Sequence, residues 1–467
     1  MKLHNTLSGK LETLVPLTPG VVKLYTCGLT VYSQPHIGNW LGYIYWDVLV
    51  RTLQADGLRV ERTQNITDVG HLVSDDDSGE DKMEKGAKRE GITAWDVAKK
   101  YSDIAEHEAY ELLGLIRPDH LTPATSCIDQ QIEFAKQLDE KGYLYQIDTD
   151  GMYFDTSKLT DYGKLAKLDI AGLEAGARVS VEGKKNPTDF AVWKFSPADA
   201  KRDMEWDSPW GKGFPGWHLE CSVITQQTLG DQIDIHTGGI DHIPVHHTNE
   251  IAQTESITGK QFSQVWLHNN HIKVDGTKIS KSLGNVYTLD DIQAKGFSIH
   301  AFKLLALSKH YRTEGNFTWD ILEAAQNRLN NWRAVSALRW QVNDNGKNVS
   351  VEAASFRKSL LDSLQDDLNT PEALMHIDEA LSEFDEVITP ASATILQELL
   401  DTITELLGID LNEVKDISAE AKNLIREREI ARAEKNWEAS DSLRDQIETM
   451  GITVRDTVHG TIWSYLK

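Results

Sequence analysis

The chain has 467 residues, 40% of them hydrophobic, a formal net charge of −24 and a mean hydropathy of −0.41. That length supports two or three domains with a large buried core. The charge argues against a protein that coats nucleic acid non-specifically, so any nucleic-acid contact must come from local basic patches.

No apolar run is long enough to span a bilayer, and Met1-Lys2-Leu3-His4-Asn5 has no secretory core. Three cysteines cannot pair evenly. Both features predict a cytoplasmic protein with reduced thiols and no membrane partner.

Residues 20–125 read as α/β. Val21 to Cys27 is a β-rich run ending at Gly28, and Gly38 to Gln54 carries apolar residues at helical spacing. Arg59 to Ile66 is a second strand, so a right-handed parallel crossover is expected. Asp75 to Lys88 is charged and reads as an exposed loop running into a helix.

Residues of about 126–205 read as an insertion with a helix over Ile128 to Lys141 and short strands near Tyr145 and Tyr153. Strands resume at Asp231 to His236 and Val265 to His268. After about 316 the pattern turns helical, with a polar, turn-rich break from Gln341 to Ser350. Gly408 to Asp416 reads as a linker. Ala419 to Met450 reads as one long charged helix, followed by a β-like tail over Thr453 to Tyr465.

Four local patterns carry chemistry. Pro35-His36-Ile37-Gly38-Asn39 sits between a strand and a helix, where free N–H groups and the helix dipole favour phosphate. In isolation it also fits a Pro-His turn that caps a helix. Lys278-Ile279-Ser280-Lys281-Ser282, flanked by glycines, places two point charges for a triphosphate, or forms a solvated basic turn. Gly238-Gly239-Ile240-Asp241 ends a strand; Asp241 suits a ribose hydroxyl, and an ordinary turn fits equally.

The fourth pattern is a metal set. His246 and Glu250 share one face if their run is helical. With Cys27 and Cys221 they make a plausible tetrahedral zinc shell. Each cysteine alone is more often a small buried hydrophobe, and Cys127 reads as structural. Trp217 and His236 each fit either a pocket wall or the core.

Taken together, these residues resemble a class I aminoacyl-tRNA synthetase, and more narrowly the cysteinyl-tRNA synthetase family. The resemblance rests on both signature loops and on Tyr25 to Tyr32, Asn65-Ile66-Thr67-Asp68, Gly216 to Ser222, His246 to Gln253 and Asp367-Leu368-Asn369-Thr370-Pro371. It runs from near residue 20 to the C-terminus. It implies a Rossmann-like parallel-sheet catalytic domain over 1–315, with that insertion and a signature-loop region of about 265–315. A helical bundle over 316–407 and a small α+β anticodon-binding domain over 417–467 would follow.

The resemblance also implies site residues. Zinc would sit on Cys27, Cys221, His246 and Glu250. The cysteine pocket would include Gly28, Thr30, Thr67, Trp217 and His236. The ATP site would include His36, Gly38, Asn39, Gly239, Asp241, Lys278, Ser280 and Lys281, with His36, Asn39, Lys278 and Lys281 acting in catalysis and Mg²⁺ accompanying ATP.

Two departures stand out: Asn39 replaces the usual fourth histidine, and Val69-Gly70-His71-Leu72 replaces an acidic pair and a lysine. The implied reaction is ATP-dependent activation of L-cysteine and transfer to the 3′ end of cysteine tRNA by a monomer that also contacts the anticodon. The alternative is a cysteine ligase that passes the adenylate to an aminosugar. In the tail, Trp463 is expected to stack on an unpaired base.

Overall fold

The computed structural model describes residues 1–70, 81–168, 183–197 and 202–466. It divides into two compact units. The first holds Met1–Trp46, Asp56–Leu289 and Tyr311–Gly315; the second holds Asp47–Ala55, Asp290–His310 and Asn316–Lys467.

The first unit is built on a five-stranded sheet: β1 (Val21–Thr26), β2 (Arg59–Ile66), β3 (His120–Pro123), β4 (Ile233–Gly239) and β5 (Ser263–Asn269). The order is β5-β4-β1-β2-β3, and every neighbouring pair is parallel. Parallel pairing requires crossovers, and α1 (Ile37–Ala55) supplies the one between β1 and β2. Trp40 through Val50 is buried on all sides of that helix, as an all-round apolar sequence demands. The strand order reverses between β1 and β4, so their carboxyl ends open a crevice there.

Between β3 and α2 (Trp217–Leu229) lie helix Ile128–Glu140 and a four-stranded antiparallel sheet. Its last strand, Gly213–Pro215, pairs with Phe190–Phe195, so the sheet continues beyond residue 205. α3 (Thr248–Thr258) joins β4 to β5 through the wide turn Ile243–His247. The sequence after Gly70, with the first part of the charged stretch, lies outside the described residues; helix Lys82–Glu90 follows it.

The second unit is mainly helical, and four expectations change there. Gln341 to Ser350 contains a strand, Val342–Lys347. The segment from Gly408 to Asp416 is packed rather than a solvated linker: Ile409 and Leu411 are fully buried. The long charged helix is two helices, Ala419–Ala433 and Trp437–Thr449. Lys435 takes a left-handed φ of 61°, and Asn436 caps the second helix by accepting from Ala439 N at 3.2 Å.

The strands Ile452–Thr457 and Gly460–Tyr465 form an antiparallel pair. Trp463 belongs to a core with Val414, Ile417, Ile425 and Ile447 and is 5% exposed, so it is not available to stack on a base. Trp437, on the last helix, is 55% exposed, with the Arg432 guanidinium 5.6 Å from its ring centre.

Candidate active site

The carboxyl end of β1 leads into Cys27 and Gly28, and that of β4 into Gly239 and Asp241. Cys27 N donates to Thr237 O at 3.1 Å, which ties the two exits together. At Gly28 a side chain is excluded, because a Cβ would lie 1.6 Å from Asn65 O. The Gly28 amide instead donates to Asn65 Oδ1 at 2.6 Å. A cavity of about 1050 Å³ opens here.

Cys27, Cys221, His246 and Glu250 meet behind this crevice, all buried, with their ligand atoms within 4.8 Å of one another. His246 Nε2 lies 3.0 Å from Glu250 Oε1, so the wide turn preserves the i,i+4 meeting expected of a helix. A second group, Cys27, His236, His247 and Glu250, shares two members with the first.

Burial pushes the Cys27 thiol well up, whereas Cys221 moves down: burial alone would raise it, but its contact with Cys27 and the neighbouring His246 favour the thiolate. Burial opposes charge on His246 too, yet Cys221 and Glu250 push it up to about 10. Glu250 falls to about 2, against burial, through His236 and His246. The buried cluster thus gathers two sulfurs, one imidazole and one carboxylate, and that donor set suits zinc.

The site residues divide by position. Gly28, Thr30 and Trp217 line the cavity. Thr67 and His236 lie behind it: Thr67 Oγ1 donates to Glu220 Oε2 at 3.0 Å, and His236 Nε2 is 2.9 Å from Glu250 Oε2. His36, Gly38, Asn39, Gly239, Asp241, Lys278, Ser280 and Lys281 all line the cavity.

Asn39 Oδ1 accepts from His36 N at 2.9 Å, which leaves the amide NH₂ to donate elsewhere. Burial, then Lys281, holds His36 below the usual histidine range. A Cβ on Gly38 would lie 2.9 Å from Ile279 and 3.0 Å from the His36 ring, so glycine lets the two signature loops meet. Asn285 staples the lysine loop: its Oδ1 accepts from Ser280 N at 2.8 Å, and its Nδ2 donates to Lys278 O at 3.1 Å.

Sequence reasoning missed several contributors. His247 Nε2 is 3.2 Å from Cys27 Sγ, its Nδ1 is 2.7 Å from His268 Nε2, and His268 Nδ1 is 2.7 Å from Thr6 Oγ1. The adjacency of His247 to His246 was the only local signal. Lys82 and Tyr32 also line the cavity; Tyr32 closes the string that begins at Tyr25 but was given no role, whereas Lys82 stands in no recognisable motif.

A parallel sheet with a crevice at its strand-order reversal, lined by two phosphate-suited loops, defines the catalytic unit of a class I aminoacyl-tRNA synthetase. The comparisons agree: residues 13–327 match the family model "tRNA synthetases class I (C) catalytic domain". Residues 414–463 match "Cysteinyl-tRNA ligase anticodon binding domain".

The chain belongs to the cysteine–tRNA ligase family. It is 43% identical over 465 residues to cysteine–tRNA ligase 1 of Burkholderia lata, covering 98% of this chain and 96% of that one. It is 38% identical to the Treponema denticola enzyme, covering all of both. A Mycobacterium tuberculosis methionyl-tRNA synthetase structure shares the fold, with a TM-score of 0.61 at 14% identity over 84% of this chain and 93% of that one. The aminosugar-ligase alternative gains no support, because the full-length relatives are tRNA ligases and an anticodon-binding domain is present.

Proposed function

We propose that this protein activates L-cysteine with ATP and transfers it to the 3′ end of cysteine tRNA. The observation that carries the reading is that two phosphate-suited loops line one cavity and that Cys27, a member of the two-sulfur metal set behind it, lines the same cavity. Cys27, Cys221, His246 and Glu250 would hold one zinc ion. When bound, the ion would supply a soft Lewis-acid site that prefers sulfur to a hydroxyl, separating cysteine from serine.

The protein's own groups do the rest. Trp217 walls the amino-acid end, its ring centre 4.3 Å from that of His246. Asp241, beside Gly239 in the cavity lining, would accept from ribose hydroxyls. His36, Asn39, Lys278 and Lys281 meet the phosphates, and Mg²⁺ would accompany ATP. The substrate carboxylate is itself the nucleophile, so no side chain need be. In the second unit, Trp437 beside Arg432 offers an unpaired anticodon base a stacking face.

No helix among the described residues is long and apolar enough to cross a membrane. Thiol ligands that must stay unpaired suit a reducing cytoplasm, and sedimentation tests the expected monomer. The deciding experiment is cysteine-dependent ATP–pyrophosphate exchange followed by charging of cysteine tRNA. Lys281→Ala should slow exchange by about 10²–10³-fold, the usual loss for one charge-stabilising donor. Exchange without charging would refute the tRNA half of the reading.

A further inference from the structure

Lys82 lies in the cavity but belongs to neither signature loop nor the metal set. Its ammonium is 5.7 Å from the Tyr32 ring centre and 5.9 Å from that of Trp217. Lys281, from the lysine loop, lies 5.6 Å from the same Tyr32 ring. One lysine therefore spans from the wall of the amino-acid end to the ring that the phosphate-loop lysine also approaches.

The mount is firm. Lys82 opens helix Lys82–Glu90, whose cap, Asp81, accepts from Met83 N and Glu84 N at 2.7 and 3.0 Å. Asp81 is itself paired with buried Arg202. Further along, a Cβ on Gly86 would meet Val97 at 3.2 Å and Tyr32 O at 3.5 Å, so the helix packs closely on the Tyr32 segment. The helix thus fixes the Lys82 backbone, and the side chain carries a compact point charge to the cavity.

We propose that Lys82 binds the oxyanion at the junction of the two substrates, either the cysteine carboxylate or the ATP α-phosphate that it attacks. The proposal rests on the adenylation reading above. In that step a carboxylate oxygen forms a bond to the α-phosphorus. The bond from that phosphorus to the bridging oxygen of the β-phosphate breaks, and its electron pair leaves with pyrophosphate. Two anions must meet for this to happen. A second ammonium beside Lys281 lowers their repulsion and fixes their approach.

The test uses the full-length, zinc-loaded chain as wild type, Lys82→Met and Lys82→Arg. Wild-type cysteine-dependent exchange is measured first; if it is absent, the functional reading fails and this proposal with it. Calorimetry then gives Kd for L-cysteine and for cysteamine, which lacks the carboxylate, and rapid quench gives the rate of adenylate formation.

In Lys82→Met, one of these should change by about 10–100-fold, the loss expected for a charge-assisted hydrogen bond, and Lys82→Arg should recover part of it. Weaker cysteine binding with unchanged cysteamine binding identifies the carboxylate. Unchanged binding of both with slower adenylation identifies the α-phosphate. If active wild type gives no change in Lys82→Met, or if cysteine and cysteamine binding weaken together, the proposal is overturned. Should Lys82→Met fail to fold, Lys82→Gln gives the same comparison.

Discussion

The ion pair that closes the C-terminal helices onto their strand pair can be removed by Asp456→Ala. Arg428, whose side chain is 1% exposed, donates Nη1 and Nη2 to Asp456 Oδ1 and Oδ2 at 2.7 and 2.8 Å. Thr461 Oγ1 adds a bond to Oδ1 at 3.0 Å. Chiefly through Arg428, the Asp456 carboxyl is held at about 2. Relative to an unfolded value of about 3.9, that shift is worth about 2.6 kcal/mol before screening.

Asp456 keeps 30% exposure, so about 1–2 kcal/mol is the discounted figure. Because the folded value is depressed, this stability is present above about pH 4 and is lost as pH falls towards 2. Truncation costs more than protonation, since it leaves a buried guanidinium uncompensated; we expect about 2–4 kcal/mol. Amide exchange over Ile452–Thr457 and Gly460–Tyr465 should lose protection by roughly 30–1000-fold at pH 7. Charging of tRNA should fall while ATP–pyrophosphate exchange holds. Unchanged protection, or exchange that falls in step with charging, would refute the reasoning.

Cys221→Ser should reduce zinc from one per chain to a small fraction, read by metal analysis after gel filtration, with the far-ultraviolet dichroism retained; full occupancy would remove Cys221 from the set. Gly38→Ala should disrupt the meeting of His36 and Ile279 and slow exchange by more than tenfold on the order expected for a misplaced catalytic group, with little loss of melting temperature. Asp68, held up to about 6 chiefly by burial despite Thr125, costs the fold stability once ionised. For an acid raised in this way the contribution is greatest below about pH 4 and is lost as pH rises through about 6, a span worth roughly 3 kcal/mol. Asp68→Asn should therefore gain stability over wild type at pH 7.5 and lose that advantage at pH 4, as measured by denaturant midpoints.

β1 and β2 were legible as short β-rich runs bounded by breaks, and α1 because its apolar residues recur at helical spacing over a length that a strand does not reach. Ligand type and i,i+4 spacing were legible in the metal set as well, since both survive as local chemistry. What failed was anything decided by a distant surface. Gly408 to Asp416 reads as a linker opened by a helix-ending glycine, yet Ile409, Leu411 and Val414 point into cores that other segments supply. Trp463 lies in a strand whose faces alternate, and only the helix that covers one face decides which side is buried. The break at Lys435 was hidden because charged helices offer little apolar rhythm to interrupt. Thr6 and His268 reach Cys27 through His247, a chain assembled entirely by topology.

The cavity reverses the charge of the chain that builds it. Lys82, Arg89, Lys273, Lys278 and Lys281 line it against Asp241 and Glu314, while the whole molecule carries −24. A triphosphate, a carboxylate and the phosphodiester end of a tRNA are all anions, so a cationic cavity in an acidic chain attracts them locally and repels nucleic acid elsewhere. Composition alone could only forbid indiscriminate binding. The fold adds the positive term by bringing Lys82 from a helix after β2 and the other lysines from segments after β5 to one crevice. Specificity for cysteine would then need little more from shape, because a sulfur-preferring metal set would stand at the end of that crevice walled by Trp217.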